Sequence, residues 1–179
     1  MLFRIIILIS TSLIVLYQCK PKEGTTIPEE YNGPMMEAIN LTTLYSDSAH
    51  IKMKMVTPIQ LEFDNGDREF PKGLDIEFYE NDGSTSSTLR ADYCYFTKKT
   101  GLYKATGNVI IKGMKHNDQL NTEELFWNEK KETVFTEKFV RIEKDGEIHM
   151  GDGLEAKQDF SEYTIMKSRG NISLKENNN

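Results

Sequence analysis

The stretch Tyr103-Lys104-Ala105-Thr106-Gly107-Asn108-Val109-Ile110-Ile111 sets apolar or small residues at every second position, with mostly polar ones between them. A period of two describes a strand with one buried and one wet face. Working outward, residues 50–56 (His-Ile-Lys-Met-Lys-Met-Val) alternate in the same way until Pro58, and residues 59–63 do so until Asp64-Asn65-Gly66-Asp67. Residues 74–78 repeat the pattern and stop at Asn81-Asp82-Gly83. Val140-Arg141-Ile142-Glu143 turns at Lys144-Asp145-Gly146 into Glu147-Ile148-His149-Met150, where alternation points His149 outward. No stretch of helical length shows i, i+3, i+4 spacing free of competing alternation, so the domain reads as all-β.

A longer period lies over these strands. Leu89-Arg90-Ala91, Phe96, Lys98-Lys99-Thr100-Gly101, Ala105, Val109 and Ile111 form one unit. Leu120-Asn121-Thr122, Trp127, Asn128-Glu129-Lys130-Lys131, Thr136, Val140 and Ile142 form the next. Ala91 to Ala105 and Thr122 to Thr136 are both fourteen residues, and Ala105 to Val109 and Thr136 to Val140 are both four. A less regular third unit starts at Leu154-Glu155-Ala156. Hairpins repeated in phase build a long antiparallel sheet with one continuous apolar side, which a second sheet or a folding-over of the same sheet must cover. Small residues at inner positions (Ala105, Gly107, Thr136) suit a gap between walls rather than a filled core.

The first 19 residues differ from the rest. Arg4 precedes thirteen uncharged residues, Ile5 to Tyr17, and then Gln18-Cys19-Lys20. One positive charge and a short apolar run read as a secretory signal, and Cys19 directly after it, with Leu16 three positions before, resembles a lipoprotein box. Lipidation at Cys19 is the expectation; an uncleaved N-terminal helix with an incidental cysteine is the alternative. Both anchor the chain at the inner membrane with its remainder in the periplasm. Residues 20–44, with Pro21, Gly24, Pro28, Gly33 and Pro34, read as a tether, residues 45–176 as the β domain, and residues 177–179 as a frayed tail.

Composition narrows the function. The chain has 179 residues, 38% hydrophobic and 28% charged, with a net charge of −6, which argues against nucleic acid as partner. No phosphate-binding loop, nucleophile elbow or calcium loop is present; Gly151-Asp152-Gly153 reads as a bend or bulge. His50, His116 and His149 are too scattered for a metal site, and no cofactor is implied. Cys94 has no histidine nearby and reads as a buried thiol on a strand. Nothing here assembles a catalytic site.

Leu120-Asn121-Thr122-Glu123-Glu124-Leu125-Phe126-Trp127-Asn128, then Val134-Phe135-Thr136-Glu137 and Val140-Arg141-Ile142, resemble the LptC family of lipopolysaccharide export. Gly151-Asp152-Gly153-Leu154-Glu155-Ala156, Asp159-Phe160 and Tyr163 continue the resemblance. It implies a folded-over antiparallel sheet of repeated hairpins, taco- or jellyroll-like, whose interior holds the acyl chains of lipid A. The expected lining is Met53, Met55, Phe63, Ile76, Phe78, Ala105, Val109, Ile111, Trp127, Thr136, Val140, Ile142, Met150 and Leu154. The implied partners are lipopolysaccharide, an inner-membrane export ABC transporter of the LptBFG kind and an LptA-like periplasmic bridge protein. The partner-pairing edges are expected at Ile51 on the first strand and at Ile172 and Leu174 on the last. An anchored β module that binds only proteins is the alternative.

Overall fold

Each alternating stretch pairs with its neighbour in the chain. The computed structural model describes residues 31, 33–115 and 118–173. Its strands are β1 (Met36–Asp47), β2 (His50–Glu62), β3 (Arg68–Phe70), β4 (Leu74–Tyr79), β5 (Thr85–Ala91) and β6 (Tyr93–Thr97). β7 (Leu102–Gly113), β8 (Asp118–Asn128), β9 (Thr133–Lys144), β10 (Glu147–Lys157) and β11 (Tyr163–Ser173) complete the set. Among the described residues there is no α-helix; a single 3-10 turn, Glu129–Lys131, precedes β9.

β1 pairs with β2, and β2 pairs with β3 along one half and β4 along the other. β3 and β4 pair with β6 and β5, which both pair with β7. β8, β9, β10 and β11 then follow in order. β3 and β4 therefore act as one strand interrupted at 71–73, and β5 and β6 as one interrupted at Asp92. The result is one antiparallel meander. Between β9 and β10, Asp145 (φ 51°) and Gly146 (φ 75°) supply the two positive φ angles that a two-residue hairpin of the right twist needs.

The sheet is folded over on itself. Trp127 lies opposite Tyr103 at one end of β7, while Phe78 lies opposite Ser87, and Ser87 opposite Gly113, at the other end. On straight strands those ends would be roughly 33 Å apart, at about 3.3 Å per residue. The Phe78 and Trp127 rings instead meet edge-on with centroids 5.3 Å apart. Only strands creased near their middles allow that contact.

The crease is visible in the register. Ladder pairing breaks between Thr106 and Val109 on β7, between Thr122 and Phe126 on β8, and between Asp152 and Leu154 on β10. Gly107 (φ 74°) and Asn108 (φ 45°) take the left-handed turn on β7, and the gap at 71–73 and at Asp92 continues the line. At Gly73 (φ 77°) an added Cβ would stand 2.3 Å from the Ala91 carbonyl oxygen, so only glycine fits. Breaking a ladder releases backbone groups that must find other partners. Buried threonines supply two of them: Thr57 Oγ1 donates to the Gly73 carbonyl (2.8 Å) and Thr122 Oγ1 to the Phe139 carbonyl (2.8 Å). On β9 the hydroxyl of Thr136 accepts from the Lys138 amide (3.1 Å).

Two expectations from sequence are corrected. Residues 36–44, read as tether, are strand: β1 registers with β2 from Met36↔Glu62 to Asp47↔His50. Ile51 is accordingly not on an outer edge, because β1 covers β2 and, among the described residues, is itself the outermost strand. The signal was hidden because β1, as an edge strand, buries almost none of its side chains and so carries little apolar alternation. Ile172 lies on β11, opposite Ile148; Cys19, His116 and Leu174 lie outside the described residues.

Replacing Thr57 by valine keeps the volume and strands the carbonyl of buried Gly73, and Thr122→Val removes the buried hydroxyl that donates to the Phe139 carbonyl. Each is expected to cost about 1–3 kcal/mol, against less than about 0.5 kcal/mol for the exposed Thr100→Val. Urea midpoints at unchanged m-value would measure both.

Candidate functional site

The inner face of the folded sheet is a trough whose floor is the crease. Cross-strand register places its rows. One wall carries Met55, Ile76, Leu89, Ile111, Leu120 and Ile142 in a line across successive strands. Along the rim of the other wall run Arg68, Phe96, Tyr103, Trp127 and Val134. All but Arg68 are buried in one continuous apolar cluster.

Twelve of the residues expected to line the interior are buried there: Met53, Met55, Ile76, Phe78, Ala105, Val109, Ile111, Trp127, Thr136, Val140, Ile142 and Leu154. Two are not. Phe63 is half-buried beside Tyr95 (6.5 Å), on the face opposite Phe70 and Phe96, because β2 steps from inward Thr57 to inward Gln60 and reverses its alternation. Met150 pairs with outward Arg141, while His149 pairs with inward Ile142, which also reverses the outward reading of His149. The bend at Gly151-Asp152-Gly153 is the reason: inward Gly151 and inward Leu154 are three residues apart, with Gly153 at φ 77°.

The walls meet, so the interior is filled rather than gapped. Phe96, Tyr103 and Trp127 stack in sequence, with centroids 4.6 and 4.7 Å apart, and Phe78 closes onto Trp127 from the opposite wall. Such ring pairs add about 0.5–1.5 kcal/mol each beyond area burial.

The two rims meet at a seam closed by side chains and a turn. Gln158, in the turn after β10, accepts from Trp127 Nε1 on its side-chain oxygen (3.0 Å) and from Ser87 Oγ on its carbonyl (2.6 Å). Its own amide donates to the Glu132 carbonyl at 2.9 Å. Phe160 in the same turn is fully buried and stacks on Tyr163 at 5.3 Å. Clefts of about 480 and 280 Å³ flank this contact, the first lined by Ser86, Gly113, Asp118 and Phe160, the second by Lys52, Lys131 and Gln158. At the far rim Lys144 Nζ lies 3.2 Å from the buried Asp118 carboxylate. Among the described residues no strand ladder bridges the seam.

Sequence reading missed Gln158 and Arg68 and singled out Phe160 only within the family resemblance, not as a seam residue, since a turn and a three-residue strand have no periodicity to read. Cys94 is buried, and burial pushes its thiol up to about 12, so it stays a neutral apolar filler. No cluster of metal-ligating side chains occurs among the described residues.

Trp127 is the chain's single tryptophan, so its fluorescence reports on the seam. Gln158→Leu removes the acceptor of a part-buried indole N–H and is expected to cost about 1–3 kcal/mol. A red-shifted emission under native conditions would accompany it; an unshifted spectrum would mean the contact does not hold the seam.

Among the described residues no helix is long and apolar enough to cross a membrane. No curated protein matches the sequence significantly. The sequence model of one family, described as "Lipopolysaccharide-assembly, LptC-related", matches residues 4–172, which is nearly the whole chain. Antiparallel hairpins folded around an apolar interior, as the described residues form, agree with that match, and the chain belongs to the LptC family of periplasmic, inner-membrane-associated components of lipopolysaccharide transport.

Proposed function

We propose that this protein carries lipopolysaccharide through the periplasm with the acyl chains inside the trough, between an inner-membrane export ABC transporter and a periplasmic bridge protein. The observation that carries the reading is the seam. The apolar faces of the two walls are joined at their rims by side chains and one turn, with no ladder across. Acyl chains can replace the opposite wall as the apolar partner without breaking a single strand pairing.

The energetics fit a conduit. Each methylene kept from water is worth about 0.8 kcal/mol, so a lipid with several acyl chains needs an apolar sheath to cross an aqueous gap. Transfer from membrane to trough is nearly neutral, so direction comes from the transporter. Among the described residues nothing pairs with the outer sides of β1 and β11, and such edges suit strand addition by the transporter's periplasmic part and by the bridge protein. Lipidation at Cys19 would hold the chain at the inner membrane; mass spectrometry of the mature N-terminus tests it.

The filled interior favours a second reading, an anchored β module that binds proteins alone. A photoreactive aliphatic side chain at Ile111 or Ile142, with Lys112 or Arg141 as outward controls, separates the two. A Ser87→Cys/Gln158→Cys pair adds a lock, because Ser87 Oγ already touches the Gln158 backbone. Lipopolysaccharide adducts are expected at the inner positions only, lost when the pair is oxidised and restored by reductant. Absence of inner adducts from the folded, unlocked protein would favour the protein-binding module.

A further inference from the structure

Arg68 is the anomaly of the inner wall. It stands on β3 opposite Phe96, so it shares the face of Phe96, Tyr103 and Trp127 rather than that of outward Glu69 and Tyr95. Its guanidinium carbon lies 4.2 Å from the Phe96 ring centre and 5.5 Å from that of Tyr103, and Nη2 donates to the Tyr103 hydroxyl at 2.7 Å. Burial pushes the Tyr103 phenol up to about 12, so that hydroxyl is a neutral acceptor and offers the cation no countercharge.

No carboxylate of the described residues lies within 4.0 Å of this guanidinium. Glu62, its Cα partner on β2, makes no ion pair with it. The contrast is Lys144, which stands at the opposite rim beside Asp118. A half-buried cation in an aromatic wall is costly to keep for packing alone, since an apolar side chain of similar volume would fill the position without desolvating charge. Stacked on Phe96 and tied to one phenol, the fork is fixed in orientation, and among the described residues it makes a single side-chain hydrogen bond.

Its position supplies the ligand's chemistry. Arg68 lies on the rim row, where the apolar interior gives way to solvent. A lipid whose chains fill the trough leaves its headgroup at that level. We propose that Arg68 is a headgroup site, binding an oxyanion of the acylated sugar lipid, phosphate or sugar carboxylate, through paired N–H donors. The site rests on the lipid-carrying reading above and adds a polar contact that fixes how deep the chains sit.

The test uses the full-length protein in detergent, with the photoreactive side chain at Ile111 as readout. Three probes share the same acyl chains: a phosphorylated disaccharide, its dephosphorylated form, and the dephosphorylated form extended by a carboxylated sugar. Wild type is expected to capture at least one anionic probe about tenfold better than the neutral one, the size of one charge-assisted contact of about 1.4 kcal/mol. Which anionic probe is favoured identifies the source. Arg68→Gln is expected to abolish the preference and Arg68→Lys to keep part of it, while neutral-probe capture stays level. A role in packing alone would lower the melting temperature and change capture of all three probes alike. Equal capture by wild type, or an undiminished preference in Arg68→Gln, overturns the headgroup site and leaves the conduit standing. Failure of every probe to reach Ile111 overturns both.

Discussion

The crease is the constraint on which the rest of this structure depends. A meander of this many strands with one apolar face cannot remain flat in water, and a ladder cannot bend sharply without losing hydrogen bonds. The chain resolves the conflict at one level across the sheet. Residues at left-handed angles or gaps between strands break the pairing, and the hydroxyls of Thr57 and Thr122 take over carbonyls that the break releases. Satisfied in this way, the bend lets the apolar face close on itself without a second sheet.

Two consequences follow from bending along one line. The free rims are strand ends and turns, so nothing in the ladder ties them together. Closure falls to Phe78 on Trp127, the Gln158 contacts and the buried Phe160. These are local and replaceable, whereas the walls carry long ladders. The walls are held by ladders and the seam by side chains and one turn, and Trp127 stands at the junction of the aromatic row and the seam. Polar groups on the inner face sit at the margins: threonines at the crease, Ser87, Asp118 with Lys144, and Arg68 at the rims. The span between is apolar except for Gln60 on β2 and for His149, which stands opposite Ile142 on β10.

Where sequence and structure part company, the bends are responsible. The alternation around Ile51 to Phe63 is real at both ends, but its phase changes between Thr57 and Gln60, which sends Phe63 to the outer face. The same happens at Gly151 to Leu154, which turns Met150 out and His149 in. Phase was preserved across Ala105 to Val109 and Thr136 to Val140, and residues on both sides of those steps are buried inward. The four-residue intervals noticed in the sequence mark the crease itself. β1 escaped notice because an edge strand has little to bury.

The sequence by itself determined the all-β class, the hairpin turns, the repeating unit and the family, because these rest on local alternation, turn chemistry and spacing. It also determined which strands have an apolar face. Tertiary structure alone decided how that face is covered, with which phase each half-strand points inward, and which side chains from distant strands close the seam. The physical reason is that alternation fixes only relative facing within an unbroken ladder. A bulge resets it at Thr57–Gln60 and at Gly151–Leu154 and leaves it unchanged at Ala105–Val109, and whether Phe78 meets Trp127 depends on the fold-over of the whole sheet.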